Sequence, residues 1–427
     1  MVVHFLSALY PLAIGFATPL VPALLQWRTA QGKEDPLRRT ERTGHSTRSR
    51  PEGPLLWIHA ASVGESISAL ALIDRLLQKN AALHILVTSG TVTSANLLAH
   101  KLPARAIHQY IPLDVPRYAR RFLDHWTPDA ALWLESELWP NLLSELKKRN
   151  IPAARINARL TAKSEHGWRW VKSWFCQINS AFQVILAIGP ADAQRFNALG
   201  VPNVQQAGNL KLTAPPPAAD EKASATLQAK IGVRPVWMFA STHAGEEELA
   251  LRVHTTLAPK YPDLLTLIVP RHIARADDII NILGDATPRR SKGEWPQPDR
   301  PFYLGDSMGE MGLYYRAAPI VCVGGSFTPK GGHSPVEPAQ CGAAVVIGPD
   351  TRKCEDLVDA LVPAGALIKV RSEAELARTI DRLLSDIVLR DRMRTAALSA
   401  TRQSDIILEQ TLAALSPILT AAGVQAT

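Results

Sequence analysis

Gly331-Gly332-His333-Ser334-Pro335-Val336-Glu337-Pro338-Ala339-Gln340-Cys341-Gly342 is the stretch from which the rest of the chain can be read. It follows a short apolar run, Pro319 to Val323, that reads as a buried strand, and a glycine-rich loop, Gly324-Gly325-Ser326. A strand, a glycine loop and an N-capped helix with one early carboxylate form the layout of a nucleotide site. Glycine lets a backbone approach a ligand, a helix N-terminus favours anionic oxygen, and Glu337 can accept from ribose hydroxyls, as the acidic residue does in dinucleotide folds. The chain has no G-x-G-x-x-G, so the ligand need not be a dinucleotide.

Outward from this stretch, short apolar runs alternate with helical patterns. Val236 to Ala240, Leu265 to Val269, Ile320 to Val323, Ala344 to Ile347 and Leu367 to Val370 read as buried strands. Glu246 to Leu257, Ala276 to Leu283 and Glu355 to Leu361 read as helices, and the last fifty residues look helical throughout. Towards the N-terminus, Thr213-Ala214-Pro215-Pro216-Pro217-Ala218-Ala219-Asp220 has the character of a linker. Before it the alternation recurs. Strands are expected at Leu55 to Ala60, Leu83 to Thr88, Ala130 to Leu134, Ala153 to Ile156 and Val184 to Ile188, with helices at Ser66 to Gln78, Trp139 to Lys148 and Trp168 to Ile178. This is the pattern of right-handed βαβ units. Two doubly wound α/β domains are expected, at 55–212 and 223–427, joined by a 213–222 linker, with ligands at strand C-terminal ends in a cleft between the domains.

The 427 residues suffice for two cores. The net charge of +8 is uneven: Arg28 to Arg50 holds seven Lys/Arg against three Asp/Glu. Ahead of it, residues 1–27 hold no Asp, Glu, Lys or Arg. Val2 to Trp27 is long enough for a bilayer core of about 30 Å at roughly 1.5 Å per residue, although Pro11, Pro19 and Pro22 would kink it. A signal peptide would carry its basic residues first. The reading is an uncleaved membrane anchor or interfacial helix at 1–27, then a basic 28–54 linker that places the body on the cytoplasmic side. Cys176, Cys322, Cys341 and Cys354 have no metal-site spacing and read as reduced thiols.

Chemistry-bearing residues gather at the strand ends. In His59-Ala60-Ala61-Ser62-Val63-Gly64-Glu65, Glu65 stands where a general base would or where an early-turn acid complements a helix dipole. Glu135-Ser136-Glu137 ends another strand, where its two carboxylates would share one face. Lys211, in Gly208-Asn209-Leu210-Lys211, suits a phosphate or developing charge, or is a solvated linker lysine. In the second domain, the hydroxyls of Ser241-Thr242-His243 can cap a helix or meet a phosphate. Arg271 of Val269-Pro270-Arg271-His272 can hold a phosphate bidentately or join a surface ion pair. Asp306-Ser307-Met308-Gly309-Glu310-Met311 opens another helix. There is no P-loop, H-E-x-x-H, G-x-S-x-G or C-x₂-C, and no D-x-D at a strand end.

Taken together these segments resemble the 3-deoxy-D-manno-octulosonic acid (Kdo) transferases of lipopolysaccharide assembly. The resemblance runs from the apolar N-terminus to about Gly348. It rests on H-A-A-S-V-G-E at 59–65, T-S-G-T at 88–91, Y-I-P-L-D at 110–114, E-S-E-L-W-P-N at 135–141, N-A-R-L at 157–160, G-N-L-K at 208–211, S-T-H-A-G-E-E at 241–247, V-P-R-H at 269–272, D-S-M-G-E-M at 306–311 and G-G-H-S-P-V-E-P at 331–338. Each is weak alone; ten in one order are specific. The resemblance implies a GT-B glycosyltransferase that moves Kdo from CMP-Kdo to a lipid A precursor, lipid IV(A), with inversion. It needs no metal or other cofactor, binds no nucleic acid and works at the cytoplasmic face of the inner membrane, among its lipids.

By the same resemblance Glu65 is the general base, in an acceptor-binding first domain. Glu135 and Lys211 stabilise the transition state. Pro270 and Arg271, Met308, Gly309 and Glu310, and Ser334, Pro335, Val336 and Glu337 bind CMP-Kdo in the second domain. The chain departs from the family pattern twice: Ser334 stands where Asn is usual, and Asp350-Thr351-Arg352-Lys353-Cys354 replaces His-x-x-Asn-Phe. A GT-B enzyme using a UDP-sugar and a non-catalytic lipid or nucleotide binder are the alternatives. Against the second stands the joint presence of Glu65, Glu135, Lys211, Arg271 and Glu337.

Overall fold

Every residue of strand Leu55–His59 is buried, as a strand covered by helices on both sheet faces requires. The computed structural model describes residues 2–423 except Ser136, Ala214 and Gln403. Met1 of the expected anchor, Ala214 of the expected linker and the last four residues of the expected tail thus lie outside the described residues. The chain divides into two compact units, Met1–Ala214 with Ser404–Thr427, and Pro215–Gln403.

The first unit is built on seven parallel strands: β1 Leu55–His59, β2 His84–Ser89, β3 Ala106–Tyr110, β4 Ala130–Leu134, β5 Ala153–Ala158, β6 Val184–Ala187 and β7 Val204–Gln206. Their order is β3-β2-β1-β4-β5-β6-β7, so neighbouring crossovers diverge between β1 and β4. One face of the sheet carries an aromatic core in which Trp57 meets Phe122 at 4.9 Å and Trp133 at 5.3 Å between ring centroids. The sequence expectation lacked β3 and β7. Only two of the five β3 residues are buried, and β7 has one half-buried residue followed by two exposed ones, so neither shows the continuous apolar run that marks the inner strands. The single helix expected over Trp168 to Ile178 is two, Ala162–Arg169 and Lys172–Asn179.

The second unit repeats the plan with six strands: β8 Val236–Thr242, β9 Leu265–Pro270, β10 Phe302–Leu304, β11 Ile320–Val323, β12 Ala344–Ile347 and β13 Leu367–Lys369, ordered β10-β9-β8-β11-β12-β13. Alternate residues of β8 serve opposite cores. Trp237 and Phe239 pack with Leu249, Ile279 and Ile380, whereas Val236, Met238 and Ala240 pack with Leu227, Leu313 and Tyr314. The crossovers diverge between β8 and β11. Ligands of doubly wound sheets gather outside the strand C-termini at such a point.

Two boundary expectations need correction. The second domain was expected to run to residue 427, but helix Ser404–Ala421 belongs to the first unit. Its Leu408, Leu412, Leu415 and Leu419 are buried, Ile407 lies against Gly208, and Glu409 pairs with Arg75 and Lys79. An amphipathic helix declares that one face is buried, not against which sheet. The 28–54 segment, in turn, is docked rather than a free linker. Glu34 pairs with Arg28 and Arg42, Arg42 Nη1 donates to the Ile111 carbonyl, and Glu41 accepts from the Tyr110 amide at 2.7 Å. Arg28 and Arg42 are therefore paired within the segment, through one shared carboxylate.

Over Leu9–Ala30 the chain is helical, long enough and apolar enough to cross a membrane. One side of it packs on the body: Val21 and Leu25 cluster with Val115 and Tyr118, and Tyr10 donates its hydroxyl to Asp114 Oδ2 at 3.0 Å. Leu9, Leu12, Phe16, Leu20, Leu24 and Trp27 are exposed, at helical spacing along another side.

Candidate active site

In the first unit the site begins where β1 and β4 end. After β1, Ala60-Ala61-Ser62 turns into helix Val63–Lys79 with Ser62 at its N-cap. The Ser62 hydroxyl accepts from the Glu65 amide at 3.4 Å, and it donates to Glu65 Oε1 at 3.2 Å. Glu65 Oε2 accepts from the Ala61 amide at 2.7 Å. This is a capping box tied back into the strand exit, and its hydrogen bonds favour the carboxylate. Burial works the other way. Glu65 is 7% exposed, and burial first, then the negative charge of Glu135, push its carboxyl up to about 8.

Glu135 leaves β4 in the left-handed region, φ 55°. A non-glycine residue is strained there and is held by its surroundings. Lys211 Nζ lies 2.8 Å from Glu135 Oε1. Asn157, itself at φ 51°, points Nδ2 at the same oxygen at 3.4 Å and accepts from the Leu210 amide at 2.8 Å. The Lys211 amide donates to Asn209 Oδ1. The N-A-R-L and G-N-L-K segments thus converge to hold one ion pair. Lys211 is not a solvated linker lysine.

Glu137 does not share a strand face with Glu135, because the chain has already turned. Its carboxylate accepts from Trp139 Nε1 at 3.0 Å and lies 3.5 Å from His59 Nε2. Burial works to raise the Glu137 carboxyl, but His59, Trp139 and Arg42 hold it below its ordinary value. Thr88 Oγ1 accepts from Trp57 Nε1 at 2.9 Å and lies 3.0 Å from His59 Nδ1. If the Thr88 hydroxyl donates to Nδ1, the His59 proton sits on Nε2, near Glu137 but with no hydrogen bond to it. His59 was given no role from sequence, although it opens the H-A-A-S-V-G-E segment.

The second unit is organised by Glu246, which sequence reading also passed over. Fully buried at the first turn of helix Glu246–Leu257, its carboxylate accepts from the amides of His243, Gly325, Ser326 and Phe327 at 2.7–3.1 Å. One side chain thereby ties the exit of β8 to the glycine loop after β11. Gly324 is required at that junction: a Cβ there would stand 2.5 Å from the Ser241 carbonyl oxygen. Of the hydroxyls at the β8 end, Thr242 donates to Glu247 Oε1 at 2.7 Å, and Glu247 also takes Arg275 bidentately. Thr242 is a structural donor, not a free phosphate contact.

Around this junction the expected donor-binding residues divide. Pro270 is buried at the end of β9, and Arg271 beside it is exposed, its guanidinium without a hydrogen-bond partner among the described residues. Glu337 is open to solvent yet crowded by protein, so that burial raises its carboxyl while Arg271 lowers it. Glu310 is engaged elsewhere: Arg290 takes it bidentately, Ser307 donates to it, and it is held below its ordinary value by Arg290 first. Met308 is 77% exposed and Gly309 has φ 81°.

The helix after the glycine loop is short, Val336–Gln340, with Pro335 as its N-cap and no side-chain cap. Ser334 only accepts a long 3.4 Å contact from the Val336 amide. Pro335 and Pro338 leave few amides to cap. In the segment that departs from the family pattern, Asp350 accepts from the Gly331 amide at 2.9 Å and so fastens the other end of the same loop.

Residues 38–214 match the family described as 3-Deoxy-D-manno-octulosonic-acid transferase (kdotransferase), and residues 236–399 match glycosyl transferases group 1. The chain is 33% identical over 373 residues to a 3-deoxy-D-manno-octulosonic acid transferase of Rickettsia typhi, covering 86% of this chain and 80% of that one. To its Bordetella pertussis counterpart it is 31% identical over 426 residues, covering 95% and 98%. A solved structure of a glycosyltransferase from Rickettsia africae is similar in fold, with a TM-score of 0.57 at 12% identity, over 86% of this chain and 99% of that one. With such identity sustained along nearly the whole chain, this protein belongs to the 3-deoxy-D-manno-octulosonic acid transferase family and is a glycosyltransferase of GT-B fold.

Proposed function

We propose that the enzyme transfers Kdo from CMP-Kdo to a lipid A precursor, lipid IV(A), with inversion and release of CMP. The observation that carries this is Glu65: one buried carboxylate at a sheet switch point, raised far enough to take a proton from a sugar hydroxyl near neutral pH. The acceptor oxygen, losing its proton to Glu65, bonds to the anomeric carbon of Kdo. The bond from that carbon to the CMP phosphate breaks, and its electron pair leaves with the phosphate. A single in-line step of this kind inverts the centre and needs one base. Lys211, held in place by Glu135, presents an ammonium group to charge developing in the transition state. Arg271 and Glu337 suit the phosphate and ribose of CMP, with Pro270, Met308, Gly309, Glu310, Ser334, Pro335 and Val336 contributing the remaining donor contacts. Glu310 would have to exchange its Arg290 contact to join them.

The acceptor is an amphipathic lipid, and we place the enzyme at the cytoplasmic face of the inner membrane. The exposed apolar side of Leu9–Ala30 and the docked opposite side favour a helix lying in the interface over one that crosses it.

Mass spectrometry of products from CMP-Kdo and a tetraacylated lipid A precursor tests the reading. Lipid heavier by one or more Kdo residues is expected, with CMP released. Glu65→Gln should lower turnover by about 10²-fold or more while CMP affinity holds. Near-normal turnover would remove Glu65 as the base, and nucleotide release from UDP-sugars alone would overturn the donor.

A further inference from the structure

One feature of the second unit has no part in that chemistry. His243, just past β8, and His333, in the loop before Val336–Gln340, face each other with Nε2 to Nε2 at 2.9 Å. Their ring planes are nearly parallel, 8° apart, with centroids 5.1 Å apart, as two rings bridged edge to edge through their nitrogens would be. Both rest over Gly325: a Cβ on that residue would come within 3.1 Å of the His333 ring and 3.4 Å of the His243 ring. The pair is held by its backbone as well. The His243 and Gly325 amides share one Glu246 oxygen, and the His333 amide donates to the Gly324 carbonyl.

Two nitrogens at this distance share one proton. In the neutral pair one ring donates through Nε2 and keeps a bare Nδ1, while the other accepts and carries its proton on Nδ1. One added proton would make both Nδ1 atoms donors without breaking the bridge. The surroundings resist that addition while no anion is bound. Around His243 stand Arg271, His272, Arg275 and Lys330, and around His333 stand Arg271, His272 and Lys353. The carboxylates nearby are engaged: Glu246 by four amides, and Glu337 faces Arg271. Burial holds both imidazoles below the usual range, helped for His243 by His272, Lys330, Arg271 and Arg275 and for His333 by His243, Arg271 and Lys353, which bring His333 down to about 4. This many positive groups converging at the β8–β11 switch point, around a pair with one acceptor to convert, describes a site for a doubly charged anion.

We infer that the His243–His333 pair takes up one proton from solvent when the phosphate monoester of the donor's nucleotide binds, and holds that phosphate as a hydrogen-bonded imidazole–imidazolium pair. The inference rests on the CMP-donor reading above and assigns it a phosphate-binding element outside the residues named there. The cationic pair would also steady the phosphate as it departs with the electrons of the broken bond.

Calorimetry of CMP binding at pH about 7, in buffers of different ionisation enthalpy, reads the proton directly. Uptake of about one proton per CMP is expected, and CMP affinity should rise as pH falls from 8 towards 6.5. Cytidine, which lacks the phosphate, should show neither effect. His243→Asn and His333→Asn, checked for folding by circular dichroism, should abolish the uptake and flatten the pH dependence. Binding of CMP by the unaltered enzyme without proton uptake, or uptake that persists in both variants, overturns the inference but leaves the donor reading intact. Failure of CMP to bind while a uridine nucleotide does would overturn both.

Discussion

At the scale of single residues, the chemistry depends on contests between burial and neighbours. Glu65 and Glu137 are both carboxylates at strand exits in one unit, yet burial and Glu135 raise the first while His59 and Trp139 keep the second low. A base must be unprotonated to act. With its carboxyl pushed up to about 8, kcat/KM should rise about tenfold per pH unit from the acid side and level off near that value, since this ratio reports the free enzyme. Glu135→Gln removes the negative neighbour, so the acid limb should move to lower pH even as the maximal rate falls. A limb that stays in place would mean that Glu135 does not act on the group being titrated. Residue identities were plain in the sequence, including every member of this cluster. Their protonation was not, because it depends on what stands beside each carboxylate and how much water reaches it.

Among the elements, the decisive ones are short and irregular. The strands with continuous apolar runs were legible, since burial on both faces leaves no polar positions to mask them. The short strands Ala106–Tyr110, Val204–Gln206 and Phe302–Leu304 were not. The loops after β1, β4, β8 and β11 are built by particular side chains: Ser62, Asn157 and above all Glu246. Removing Glu246 strands four backbone amides in a buried junction. Glu246→Ala should therefore cost about 2–4 kcal/mol of stability, measurable as a lower denaturation midpoint of the second unit, and should weaken CMP binding by disordering Gly324 to Phe327. Ser334 does not serve as the cap of the helix that follows it. Serine before a helical pattern usually caps it, but here the helix has five residues and starts from a proline.

For the whole molecule, membership of each unit follows from packing rather than chain order. The Ser404–Ala421 helix completes the first unit, so truncating its buried Leu415 to alanine should destabilise that unit by about 2–5 kcal/mol. Hydrogen exchange should show faster opening at β5 and β6, with the β8–β13 sheet unchanged; equal loosening of both sheets would contradict this assignment. At the N-terminus, Phe16→Asp with Leu20→Asp changes only exposed positions. It should leave the fold intact and release the enzyme from vesicles of anionic lipid in a flotation assay. Retention would mean that another surface carries the membrane contact.

The sequence alone determined the class of this protein: paired runs of buried strands, the break near residue 214, and ten ordered motifs that give the family. These are local properties, written in composition and spacing. Only the tertiary structure decided that Lys211 pairs with Glu135, that Thr242 serves Glu247, that His243 meets His333 across ninety residues of chain, and that the last helix returns to the first sheet. Each of those depends on which distant backbone segments a side chain meets. That is fixed by packing of the whole unit, and no window of sequence contains it.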